Sequence, residues 1–196
     1  MRLDGAPVRS AKIIVTGPAR AGTTTLIRSL SEISVLSTER KLGHTSPQGR
    51  GEATVALDFG RVTINRDLVL YLFGTPGDEP ESLAEGPLAE GPLGLIVSVD
   101  ASRPRSLEGA AEIVDFLEAN SNVPFVIAAN KLAQGDETRI AAVRDAVHAP
   151  QDVPIIACNV TERESSKRVV LALIDRILDM TPPAEVAGAG AGQEAE

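Results

Sequence analysis

The stretch GPARAGTTT, Gly17 to Thr25, sets two glycines and a run of hydroxyl side chains between an apolar run, KIIVT, and a helical pattern, TTLIRSLSEI. Glycines spaced this way between strand and helix let successive backbone N–H groups turn in on an anion. The positive end of the helix dipole adds to them. The phosphate-loop pattern is G-x-x-x-x-G-K-[ST]. Gly17, Gly22 and Thr24 fit it, and Thr23 stands in the lysine position. Neither the amide nest nor the dipole needs a lysine. Two readings stand: a phosphate cradle without its cation, or a tight turn that uses glycine for its shape alone. Three more apolar runs end in stretches able to bind: LYLFGTPG, closing on Gly77; VPFVIAANK, closing on Asn130 and Lys131; and IIACN, closing on Ala157, Cys158 and Asn159. In open parallel sheets ligands bind beyond the carboxyl ends of the strands, which would bring these stretches to one edge.

The elements that must position them are readable from periodicity. Short apolar, β-branched runs predict six strands: KIIVT, TVALDFGRVTI, DLVLYLFG, GLIVSVD, PFVIAANK and VPIIACN. The tight NRD connection makes the second and third antiparallel. A helix is expected from Thr23 to Ser34, with Leu26, Ile27, Leu30 and Ile33 on one face. Others are expected over SLEGAAEIVDFLEAN, capped by Ser106 or Ser102, over DETRIAAVRDAVHA, and over ERESSKRVVLALIDRILDM, stopped by Pro182 and Pro183. VLSTERKLGHTSPQGRGEA has no strong period and reads as irregular, as does the repeat AEGPLAEGPL from Ala84 to Leu93. Strands alternating with helices indicate right-handed crossovers. The expected class is α/β, with a six-stranded, mostly parallel sheet, one antiparallel strand and about five flanking helices. The expected divisions are an extension over 1–10, one domain over 11–180 and a disordered tail over 181–196.

Bulk properties narrow the function classes. A net charge of −8 argues against non-specific nucleic-acid binding, which needs a basic face. No apolar run approaches the ~20 residues of a membrane helix. One cysteine among 196 residues excludes an internal disulfide and fits a reducing compartment. MRLDGAPVRS carries no apolar leader, so the expected location is the cytoplasm, peripheral to a membrane only through a partner.

Taken in order, the blocks GPARAGTTTLIRSLSEI, TVALDFGRVTI, LVLYLFGTPG, PFVIAANK and VPIIACNVTERESSKRVVLALIDRIL resemble the bacterial small GTPases of the MglA type. They look closest to the conservon-encoded branch of ATP/GTP-binding proteins, over roughly Ala11 to Asp179. The resemblance implies a Ras-like P-loop fold, GTP or GDP held with Mg²⁺, a two-state switch in signalling or polarity, and a protein partner carrying a roadblock-type domain. Carried over by position, Gly17, Ala19, Arg20, Ala21, Gly22, Thr23, Thr24 and Thr25 form the phosphate loop. Thr24 and Thr54 are the Mg²⁺-side hydroxyls, the latter from the first switch. Gly77 is the second-switch glycine whose N–H meets the γ-phosphate. Asn130 and Lys131 flank the base, and Ala157 and Cys158 form the wall beneath it.

The chain departs from that pattern where charge is needed. Unit charges ~3 Å apart at an effective dielectric of about 20 attract by roughly 5 kcal/mol before desolvation. If ~2–4 kcal/mol survives, losing the lysine costs about 30- to 1000-fold in affinity. Gly74 occupies the aspartate position of D-x-x-G, an acid that MglA-type proteins often lack too. Asp78 stands where a glutamine would position water, and a carboxylate there repels a γ-phosphate. Ala133 replaces the aspartate of N-K-x-D that reads guanine, and Asp136, three residues on, is better placed to cap the next helix. Arg20 either swings over the phosphates or points to solvent; the second is preferred. Asp58 in LDFG is read as a structural strand-end residue, Cys158 as a small core residue, and His44 and His148 as surface residues without metal-ligand spacing.

The reading is a Ras-like switch or scaffold with weakened GTP binding and poor hydrolysis, acting through a partner. Two alternatives stay open. One is a slow but active GTPase whose charge comes from Arg20 or a partner's arginine. The other is a small-molecule P-loop kinase, disfavoured by the adjacent strand pair before LFGTPG and by the lack of a basic lid.

Overall fold

The computed structural model describes residues 9–42, 53–75, 83 and 91–180. Seven strands form one sheet in the order β2-β3-β4-β1-β5-β6-β7. They are β1 (Arg9–Thr16), β2 (Leu36–Leu42), β3 (Ala53–Thr63), β4 (Leu68–Gly74), β5 (Gly94–Asp100), β6 (Phe125–Asn130) and β7 (Ile155–Cys158). The described residues hold four α-helices: α1 (Thr23–Leu30), α2 (Pro104–Asn120), α3 (Glu137–Ala146) and α4 (Arg163–Met180). β4, β1, β5, β6 and β7 run parallel, and β3 lies antiparallel to both of its neighbours.

Alternation along the strands divides the core into two layers. Ile13 and Val15 face one way, with Ile96, Val126 and Ala128, and pack on α1 and α4 through Leu26, Ile27, Leu30, Val169 and Leu173. Ile14 faces the other way, with Val97, Val99 and Ile127, and packs on α2 and α3 through Ile113, Val114, Leu117 and Val143. Each such aliphatic side chain contributes about 1.5–3 kcal/mol when fully buried. β5 and β6 are buried at every position, which is why they read as unbroken apolar runs. β1 and β5 are neighbours, yet the helices that follow them leave to opposite faces of the sheet. That divergence opens a crevice at their carboxyl ends, the place where α/β sheets bind ligands.

The six expected strands are all present, and the hairpin between β3 and β4 has the expected sense. Four details differ. Leu36–Leu42, read as irregular, is β2; among the described residues it pairs with β3 alone. An edge strand carries charged residues such as Glu39, Arg40 and Lys41 where an inner strand carries valine, so its apolar signal is faint. α1 stops at Leu30, short of Ser34, leaving Ile33 outside the helix and 37% exposed. Ser31 Oγ there accepts from the Ile33 and Arg61 amides, and the Glu32 amide donates to the Arg61 carbonyl, so the chain is drawn off to β3. α2 is entered at Arg103 and Pro104 without a side-chain cap, because Ser102 and Ser106 are engaged with Asp100. β1 begins at Arg9, inside the stretch read as an extension. Residues 84–90 of the AEGPL repeat, the tail over 181–196 and His44 lie outside the described residues.

Candidate functional site

The β1–α1 connection is held in a shape only certain residues tolerate. Gly17 has φ 156°, and a Cβ there would lie 2.2 Å from the Ser98 carbonyl oxygen on β5. Gly22, the helix N-cap, has φ 107°, and a Cβ would crowd the Asn130 side-chain nitrogen at 2.8 Å. Arg20 between them is left-handed at φ 66°. The Ala21 amide donates to the Pro18 carbonyl and closes the turn. From below, Ser98 Oγ (3.1 Å) and Asn130 Nδ2 (3.2 Å) both donate to the Ala21 carbonyl, which fixes that oxygen inward. The first N–H groups of α1 have no partners within the helix. Gly22 offers them no side-chain cap, and the first turn contains no acid to compete for their positive field.

These groups open into a pocket of about 530 Å³ lined by the whole 17–25 segment, Arg28, Asp58, Gly74 and Thr75. Every phosphate-loop residue picked out in the sequence is therefore in one wall. Arg28, one helical turn beyond the loop, and Asp58 were not among them. Arg28 lines the pocket because helical spacing returns it to the face of Thr24 and Thr25. Asp58 does so because the β3–β4 register sets it directly opposite Gly74. It is no plain strand-end residue: its Oδ2 accepts from Thr24 Oγ1 at 2.5 Å. Thr75 is 5% exposed, and its hydroxyl has no hydrogen-bond partner among the described residues. Thr54 sits four residues before Asp58 on β3, about 13 Å along the strand, in the part that pairs with β2 alone. Gly77 and Asp78 lie outside the described residues. No cluster of three or more His, Cys, Asp or Glu able to hold a metal occurs among the described residues.

The Asn130–Lys131 corner is closed in a different way. Asn130 Oδ1 accepts from the Lys131 and Val160 amides while Nδ2 holds the Gly17–Thr25 loop through the Ala21 carbonyl. Lys131 is left-handed, at φ 62°, and its amide also donates to the Cys158 carbonyl. Its Nζ meets Oδ2 of the buried Asp100 at 2.6 Å, and Ser102 donates twice to the other carboxylate oxygen. Burial pushes the Asp100 carboxyl up, but the Lys131 and Ser102 hydrogen bonds outweigh it and hold it below its ordinary range. Ala133 is exposed, and Asp136 caps α3 by accepting from the Arg139 amide at 3.1 Å, as its spacing suggested. Ala157 and Cys158 end β7 beside β6, both buried. Desolvation raises the Cys158 thiol to about 12, which makes it a core residue and a poor nucleophile. His148 pairs with Asp115 at 3.0 Å on the surface.

No protein-family model matches this chain, and no curated protein matches it at a significant level. No helix among the described residues is long and apolar enough to cross a membrane.

Proposed function

We propose that this chain is a Ras-like P-loop domain of the MglA type that binds a nucleoside triphosphate weakly, hydrolyses it poorly and works as a switch or scaffold through a protein partner. A roadblock-type domain is the partner class that the sequence resemblance suggests. The observation that carries the reading is the start of α1 without a side-chain cap at the end of the Gly17–Thr25 loop, set where β1 and β5 send their helices apart and lining the pocket. The first N–H groups of that helix supply donors for polyphosphate oxygens. Weakness follows from side chains. Thr23 brings no charge to the β- and γ-phosphates, and Ala133 accepts nothing from a guanine. Asp136, three residues on, is committed to its helix.

A second reading, a slow but active GTPase, draws support from Arg20 and Arg28 in the pocket wall, either of which carries the positive charge that Thr23 does not. Titration with fluorescent GTP, GDP and ATP analogues, followed by single-turnover hydrolysis with protein in excess, tests both. The expected result is micromolar or weaker binding, less than about tenfold preference for guanine, and a gain of about 30- to 1000-fold in triphosphate affinity on Thr23→Lys. No binding at millimolar nucleotide removes the proposal. Sub-micromolar, guanine-selective binding, with cleavage that Thr23→Lys does not improve, gives the second reading the stronger claim.

A further inference from the structure

The pocket at the carboxyl ends of β1 and β4 is furnished for one part of a nucleotide. Its wall holds the Gly17–Thr25 segment, the start of α1 without a side-chain cap, and the cations Arg20 and Arg28. A helix start and a guanidinium both favour anionic oxygens. Thr75 is a separate signal. It lines the same pocket, is 5% exposed, and its hydroxyl has no hydrogen-bond partner among the described residues. Folds rarely bury a hydroxyl without a partner, so one placed here points to an oxygen-rich ligand. For a nucleobase the same wall offers little. Among its described residues there is no aromatic ring to stack on. The polar groups able to read a base edge stand outside it and are engaged. Asn130 is 5% exposed, its Oδ1 accepts from two amides, and its Nδ2 donates to the Ala21 carbonyl. The Lys131 ammonium meets Asp100, whose side chain is fully buried.

We infer that the ligand class of this pocket is a linear polyphosphate chain recognised without its nucleoside, so that inorganic tripolyphosphate is bound as well as GTP. The inference rests on the triphosphate-binding reading above and narrows it: the phosphates carry the binding and the nucleoside adds none. The terminal phosphate oxygens are the same in both compounds, and these are what a helix start and guanidinium groups recognise. The two differ at the other end of the chain, where tripolyphosphate has an ionisable oxygen in place of the ribose ester. That end lies away from the donors, and its extra charge is screened by solvent. A base and ribose left without partners there gain little contact and still lose freedom on binding.

The test is calorimetric titration of the whole chain with inorganic tripolyphosphate, GTP and guanosine, in one buffer at fixed ionic strength. Tripolyphosphate and GTP should bind within about fivefold of each other, and guanosine should not bind at millimolar concentration. A GTP advantage beyond about fivefold, or binding of guanosine, overturns the inference and leaves the nucleotide reading standing. Tripolyphosphate bound without GTP keeps the inference and removes the nucleotide. Absence of binding by both overturns the two together. Arg28→Ala, a change at an exposed position, places the chain in this pocket. It should weaken tripolyphosphate and GTP by the same factor, about threefold or more. Unequal losses, or none, overturn the inference.

Discussion

The Gly17–Thr25 loop and the Asn130–Lys131 corner lie on the same edge of the sheet and solve opposite problems. At the loop, main-chain donors at the start of α1 are left uncapped and open into a pocket. At the corner, the polar side chains are spent on the protein itself: Asn130 on the loop and on the turn after β7, Lys131 on Asp100, and Asp100 on Ser102. A binding surface needs groups that the fold does not use. By that criterion the loop is available for a ligand, and the Asn130–Lys131 corner is a brace that holds the loop in shape. The glycines that shape the loop are fixed by packing against Ser98 and Asn130, independently of what binds.

Breaking the loop should have the largest effect. Gly17→Ala drives a methyl into the Ser98 carbonyl and should cost about 3 kcal/mol or more of stability, read as a lowered urea midpoint, with loss of triphosphate binding. Asn130→Ala attacks the joint between the two regions. It removes one of the two donors to the Ala21 carbonyl, leaving Ser98 alone there, and deprives the Val160 amide of its acceptor, for an expected loss of about 2 kcal/mol. Triphosphate affinity should fall as well, although Asn130 stands outside the pocket wall; unchanged affinity would show that the brace does not support the loop.

The corner alone is tested by pH. The Asp100 carboxyl is held below its ordinary range, so its contribution is complete above that range and is lost as pH falls through the lowered value. Asp100→Asn should therefore be less stable than the wild type by about 1–2 kcal/mol at neutral pH, and the gap should close below about pH 4. A gap that persists to lower pH would mean that the asparagine fails for shape and not for charge. The smallest effect is expected from Asp136→Ala, about 1 kcal/mol from loss of the α3 cap, with no change in the ratio of GTP to ATP analogue affinity. A fall in that ratio would return Asp136 to the base site.

Apolar runs and glycine spacing carried the sheet and the loop in the sequence, because burial and φ restrict residue type locally. What escaped depends on partners far along the chain. β2 hides its identity because, among the described residues, only β3 borders it. Asp58 gains its role only when the β3–β4 hairpin is registered so that it faces Gly74, and no local pattern contains that register. Asn130 and Lys131 were recognisable as a motif, but their engagement with Asp100 and Val160 is set by the neighbouring β5 and the turn beyond β7.

Cys158 gives the molecule a built-in clock. The chain contains a single sulfhydryl, 2% exposed and raised to about 12 by its surroundings, so an alkylating reagent near neutral pH finds almost no reactive sulfur while β7 stays docked. The labelling rate then counts how often the far edge of the sheet comes undone, and slower labelling on adding a nucleotide would register, without any attached dye, that occupancy of one end steadies the other.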